Sequence, residues 1–138
     1  MPDKLWIPSW PSRCPGPGDA AWPDGTVRWF AEAVPATAWR AEHMAGYPWL
    51  YACICLTVVR GQLEALRAEY RLTVSHWGPL LPAKTRIKLV ADTVAEGKRL
   101  AMLLEQIRTV EAALAKGRGM VPGASADGGG AATVRPGS

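Results

Sequence analysis

The chain has 138 residues, a net charge of +4 and a hydrophobic fraction of 49%. This leaves room for one domain with tails. Three cysteines exclude a disulfide framework and fit a reduced, intracellular protein. Seven Trp stand against one Phe, so aromatic packing falls to indoles. Arg greatly outnumbers Lys, which a GC-rich coding sequence would also produce.

Residues 1–22 form a Trp/Pro-rich arm carrying Trp6, Pro8, Trp10, Pro11, Pro15, Pro17 and Trp22. Proline at this density excludes a regular helix and favours extended conformations. Indoles are costly to leave in water, so the arm should lie on an apolar surface or await a partner. The start Met1-Pro2-Asp3-Lys4 is followed by this arm and not by an apolar run, which predicts no secretory leader.

A helical domain is expected over residues 23–117. Asp24 and Thr26 are candidate caps for a short helix from Val27 to Val34, stopped by Pro35. Thr37 is a candidate cap for a second, Ala38 to Ala45, ended by Gly46.

The first long helix is expected from Pro48, suited to a first helical turn, to about His76. Its apolar seam is Trp49, Cys53, Leu56, Val59, Leu63, Leu66, Tyr70, Val74 and Trp77, at spacings of three and four. Leu50, Tyr51, Ile54 and Val58 make the other faces of its first half apolar too, so that half should be surrounded. Cys53 and Cys55 diverge by roughly 200° on such a helix. The apolar stretch Trp49–Val59, closed by Arg60, falls short of the ~20 residues that span a bilayer, so no membrane partner is expected.

After Trp77-Gly78-Pro79-Leu80-Leu81 a second long helix is expected from Pro82 to about Lys116. Its stripe is Ile87, Val90, Val94, Gly97, Leu100, Leu103 or Leu104, Ile107, Val110 and Leu114. Lys84, Lys88, Asp92, Glu96 and Arg99 occupy the other face. Gly97 costs about 1 kcal/mol relative to Ala within a helix; either the position tolerates it or another backbone approaches there. The fold class predicted is all-α: a long antiparallel helical hairpin with short N-terminal helices packed on it. From residue 118 to 138 the chain is Gly/Ala/Ser/Pro-rich and is expected to be a disordered tail.

No chemistry-bearing motif accompanies these helices. His43 and His76 lie in no HExxH, HxH or CxxC-type spacing. Ser75-His76 is an adjacent pair without a nucleophile elbow. The tail glycines lack the Lys-Ser/Thr of a phosphate loop. Glu64 with Glu69, or Glu96 with Glu105, could form an acid pair, but charged neighbours explain them as surface ion pairs. No catalytic residue, cofactor or metal is therefore expected.

Two features have functional content. Two helices of ~52 Å or less bury only one stripe against each other, so the remaining apolar surface must meet the N-terminal segment or a second subunit. This predicts a non-enzymatic, self-associating interaction protein, as a homodimer or with another protein. Leu63, Leu66, Tyr70, Leu100, Leu103 and Ile107 are the candidate interface residues, each with an intrachain core role as the competing reading. The second feature is charge. Arg67, Arg71, Lys84, Arg86 and Lys88 stand against Glu69 alone between residues 67 and 88. With Trp77 at the turn they would form a positive end suited to phosphate contacts and stacking, the alternative nucleic-acid-binding function. A solvated helix surface would look the same in sequence.

Gln62, Leu66, Tyr70 and Arg71, then Glu96-Gly97-x-Arg99-Leu100, then Val110-x-x-Ala113-Leu114 resemble small helical proteins of actinobacterial plasmids and integrative elements. The resemblance covers Gln62 to Gly117 and omits the arm. It implies a bacterial cytoplasm and a role accessory to replication, transfer or maintenance of such an element. It carries over no site residues.

Overall fold

A computed structural model describes residues 10–118. Trp6 and the Gly-rich tail beyond Arg118 lie outside the described residues. All regular structure among the described residues is helical. Helix α1 is Thr26–Ala33, followed by a 3₁₀ turn, Pro35–Arg40. Helix α2 is Pro48–Leu72. A π turn, Thr73–Trp77, and a 3₁₀ turn, Gly78–Leu80, lead into α3, Ala83–Gly117.

The described part of the arm packs internally. Trp10 and Trp22 lie with ring centroids 5.8 Å apart. The Trp10 Nε1–H donates to the Cys14 carbonyl at 3.1 Å, and both indoles pack against the core. Helix α1 begins without the expected side-chain cap. Thr26 instead donates its hydroxyl to the Pro23 carbonyl at 2.7 Å. Gly25 precedes it because a Cβ there would lie 2.8 Å from the Ala21 carbonyl oxygen.

The expected second short helix, Ala38–Ala45, is replaced by the 3₁₀ turn and a further run of turns. Thr37 is not a cap on that stretch but a core residue. Its hydroxyl donates to the Val34 carbonyl at 2.7 Å and lies 3.1 Å from the Tyr51 hydroxyl. These bonds hold residues 34–37 tight against α2. Backbone bonds such as Thr37 N–H to Val34 and Ala41 N–H to Ala38 keep the chain on a three-residue repeat.

Helices α2 and α3 pack along one another. At one end the Trp49 Nε1–H donates to Glu111 Oε2 at 2.8 Å, both residues buried. Midway, Gly97 faces Leu66. At the other end Arg86 Nη1 approaches the Gly78 carbonyl at 3.4 Å. Helix α1 lies on the Trp49–Leu63 end, where Phe30 and Tyr51 rings sit 5.7 Å apart.

The core is confined to that end. In α2 the seam is buried from Trp49 through Leu63; in α3 it is buried from Leu100 through Leu114. Beyond Leu63 and before Leu100 the buried residues are Thr73, Gly78 and Thr93. The apolar stripe expected to continue inward there instead stands outward. Tyr70, Val74, Trp77, Ile87 and Val94 are all exposed.

Thr73 and Thr93 satisfy their hydroxyls on the carbonyls four residues back, Glu69 and Leu89, at 2.8 Å each, so they can be buried without an orphaned group. The wider π turn rotates Val74 and Trp77 out of phase with the α2 seam.

Candidate interaction surface

Besides the Trp49–Glu111 bond, the described interior holds a polar cluster. Thr37, Tyr51 and Cys55 meet in the core, with Cys55 Sγ 3.7 Å from the Thr37 hydroxyl. Tyr51 also donates to the Thr37 carbonyl at 3.1 Å. Burial pushes the Cys55 thiol up to about 12, against which the Thr37 contact and the Arg40 charge act only weakly. Burial likewise raises Tyr51 and takes the Cys14 thiol up to about 12. A thiol held protonated is neither a nucleophile nor a ready metal ligand at neutral pH. None of Cys14, Cys53 and Cys55 is in a disulfide, and no grouping of His, Cys, Asp and Glu suited to a metal occurs among the described residues. The cluster locks the 34–37 turn onto α2.

The surface of the outer half of the helix pair, residues 64–97, is different. A groove of about 400 Å³ runs between α2 and α3, lined by Leu66, Tyr70, Val94, Gly97 and Ala101 with Arg67, Arg71 and Lys98. Its lining is largely apolar, and a Cβ on Gly97 would meet only Leu66 Cδ2, at an ordinary 3.7 Å. Of the two readings of Gly97, the close backbone is not seen among the described residues, and the missing side chain leaves the groove deeper.

The six candidate interface residues divide between core and surface. Leu63, Leu100, Leu103 and Ile107 are buried within the chain. They belong to the core cluster, the intrachain role that competed with an interface role for each of them. Leu66 is half-buried and Tyr70 exposed, and both line the groove. Sequence periodicity identified the stripe but not the point at which α1 stops covering it. Val94, Ile87 and Met102 are exposed apolar residues on α3 that were not singled out as interface candidates. For Ile87 and Val94 the available signal was their place in the stripe opposite Tyr70 and Val74.

The basic residues gather at the far end. Arg71, Lys84 and Lys88 are exposed. Lys88 has Asp92 at 4.0 Å and Arg67 has Glu64 at 3.6 Å, both solvent-exposed pairs worth little. Arg86 differs, being half-buried with its guanidinium on the Gly78 carbonyl and its Cδ 2.9 Å from where a Gly78 Cβ would stand. It braces the turn and is less available to a ligand than the other four. Trp77 is 41% exposed at the end of the π turn.

The continuous run Pro48–Leu80 is long and apolar enough, by length and composition alone, to cross a membrane. Its most apolar segment, Trp49 to Val59, is the part that builds the core. Comparison with protein-family models, curated proteins and solved structures gave no match.

Proposed function

We propose that this chain is a non-enzymatic helical interaction protein. Its two long helices act as an antiparallel hairpin that self-associates through its outer half. The carrying observation is the exposed pair Tyr70 and Val94, which line a largely apolar groove that the chain leaves unfilled. Apolar surface of this extent is costly in water unless a partner covers it.

A second copy related by a two-fold axis near Gly97 covers the groove of both chains. The four helices then form a bundle over the outer halves.

Sedimentation over a range of concentrations tests this reading. Association that weakens in a Tyr70→Ser, Val94→Ser chain supports it; a monomer at all concentrations overturns it. The resemblance to proteins of actinobacterial mobile elements supports a cytoplasmic setting and an accessory role there.

A second reading, nucleic-acid binding, draws on the exposed Arg67, Arg71, Lys84 and Lys88 with Trp77 beside them. Neutralising phosphates releases counterions, so binding by this route falls linearly in log affinity against log salt. A mobility-shift assay at low salt, repeated with Lys84, Arg86 and Lys88 replaced by Ala, tests it. Loss of the shift with folding retained supports the reading, and an unchanged shift places the contact elsewhere.

A further inference from the structure

The turn end of the helix pair combines two properties that neither self-association at the groove nor phosphate contact alone accounts for. The first is charge with little compensation, since Lys88 pairs only across 4.0 Å with the exposed Asp92. From Arg71 to Lys88 the chain carries Arg71, Lys84, Arg86 and Lys88 and no Asp or Glu. The cations of α3 stand in its first turns, with no acidic residue in the first turn and no side-chain cap. A helix N-terminus carries partial positive charge and open amide donors, and it favours acids. Basic residues at that position work against folding, and they concentrate positive potential at the tip.

The second property is an apolar prow. Leu80 is 79% exposed, the highest value among the exposed large hydrophobic side chains, and it sits in the turn between the helices. Ile87 at 67%, Val74 at 55% and Trp77 at 41% lie within seven residues of it along the chain. Pro79 and Pro82 flank the turn and are exposed. A nucleic acid takes aliphatic side chains only between unstacked bases, at a cost in stacking. A bilayer gives them a hydrocarbon boundary, gives Trp77 the interfacial position that indoles favour, and gives the cations anionic headgroups.

We propose that the turn end docks on an anionic lipid membrane. Val74, Trp77, Leu80 and Ile87 enter the headgroup boundary, and Arg71, Lys84 and Lys88 contact the lipid phosphates. This is surface docking by a tip, not a transmembrane span. It leaves the groove at Leu66, Tyr70 and Val94 free for a second copy.

Co-sedimentation of the full chain with vesicles tests the proposal. Vesicles of mixed phosphatidylcholine and phosphatidylglycerol should carry the protein down at low salt, and vesicles of phosphatidylcholine alone should not. Leu80→Ser with Ile87→Ser should lower vesicle partitioning about tenfold or more, and Lys84→Gln with Lys88→Gln should lower it with a reduced salt dependence. These side chains are exposed, so unchanged circular dichroism verifies that each variant folds. The groove variant Tyr70→Ser, Val94→Ser should bind vesicles as the parent does, which separates this test from that of self-association.

Absence of the parent chain from the anionic vesicle pellet overturns the proposal. So does undiminished pelleting of the Leu80→Ser, Ile87→Ser chain. A duplex oligonucleotide retained equally by the parent and by that variant, with no vesicle binding, assigns the cations to nucleic acid instead.

Discussion

Cys55 and Cys14 give this protein a distinctive alkaline behaviour. Both thiols are raised by burial from an ordinary 9.0 to about 12. In the unfolded chain they ionise near 9, while in the folded chain they stay protonated. Between pH 9 and 12 the folded state therefore holds more protons, and stability falls as pH rises through that window. Below pH 9 the contribution is fully present. Denaturant titrations from pH 8 to 11 should show this decline, and a Cys55→Ala chain should show a shallower one. A thiol reagent at pH 8 should leave Cys14 and Cys55 unmodified until the protein is unfolded. The Trp49–Glu111 bond is a second residue-scale test. Glu111→Ala strips the partner from a buried indole N–H, an omission that costs about 1–3 kcal/mol. The measurement is a fall in unfolding midpoint, with Glu111→Gln falling less because an amide oxygen can still accept.

Glycines separate the roles of the helices from that of the turn between them. A Cβ at Gly61 in α2 meets nothing within 4 Å, and at Gly97 in α3 it meets only Leu66 Cδ2 at 3.7 Å. Ala at either position should therefore stabilise the fold by about 0.5–1 kcal/mol through helix propensity. At Gly78 a Cβ would lie 2.7 Å from the Thr73 carbonyl oxygen, so Gly78→Ala should destabilise, and thermal unfolding should move in opposite directions for the two classes. If Gly97→Ala stabilises the monomer but weakens association, the space it leaves belongs to the second copy. Helix α3 also carries the bidentate pair Arg99 to Glu96, at 2.8 and 2.7 Å. That hydrogen bond holds the Glu96 carboxyl below its ordinary value, but the site is solvent-exposed and contributes little to stability.

Across the whole molecule, stability is graded along the helix pair. The end covered by α1 is packed with Phe30, Tyr51, Leu56, Val59, Ile107 and Val110. The outer half rests on Thr73, Gly78 and Thr93. Local opening is cheap where few apolar side chains are buried. Hydrogen exchange should thus be slow over residues 49–63 and 100–114 and faster over 64–97. Raising the protein concentration should slow exchange in the outer half alone if a second copy covers it. Uniform protection along both helices would show that the outer half is stable without a partner.

The sequence by itself determined the helical class and both long helices to within a few residues, because their apolar residues recur at spacings of three and four and prolines mark where each begins. It also determined where the positive charge collects, since that depends on composition along a short stretch. Only the tertiary structure decided which part of the stripe is core. Periodicity reports that residues share a face, and it does not report what covers that face. Helix α1 and the Trp10–Trp22 pair cover one end, so Leu63, Leu100, Leu103 and Ile107 are interior while Tyr70, Val74, Ile87 and Val94 are not. Thr37 reads equally well as a cap or as a core hydroxyl until Tyr51 and Cys55 are brought beside it. Arg86 reads as one more surface cation until the turn folds back and places Gly78 under its side chain. In each case the residue type allows two environments, and contacts between residues distant along the chain, or across the turn, select one.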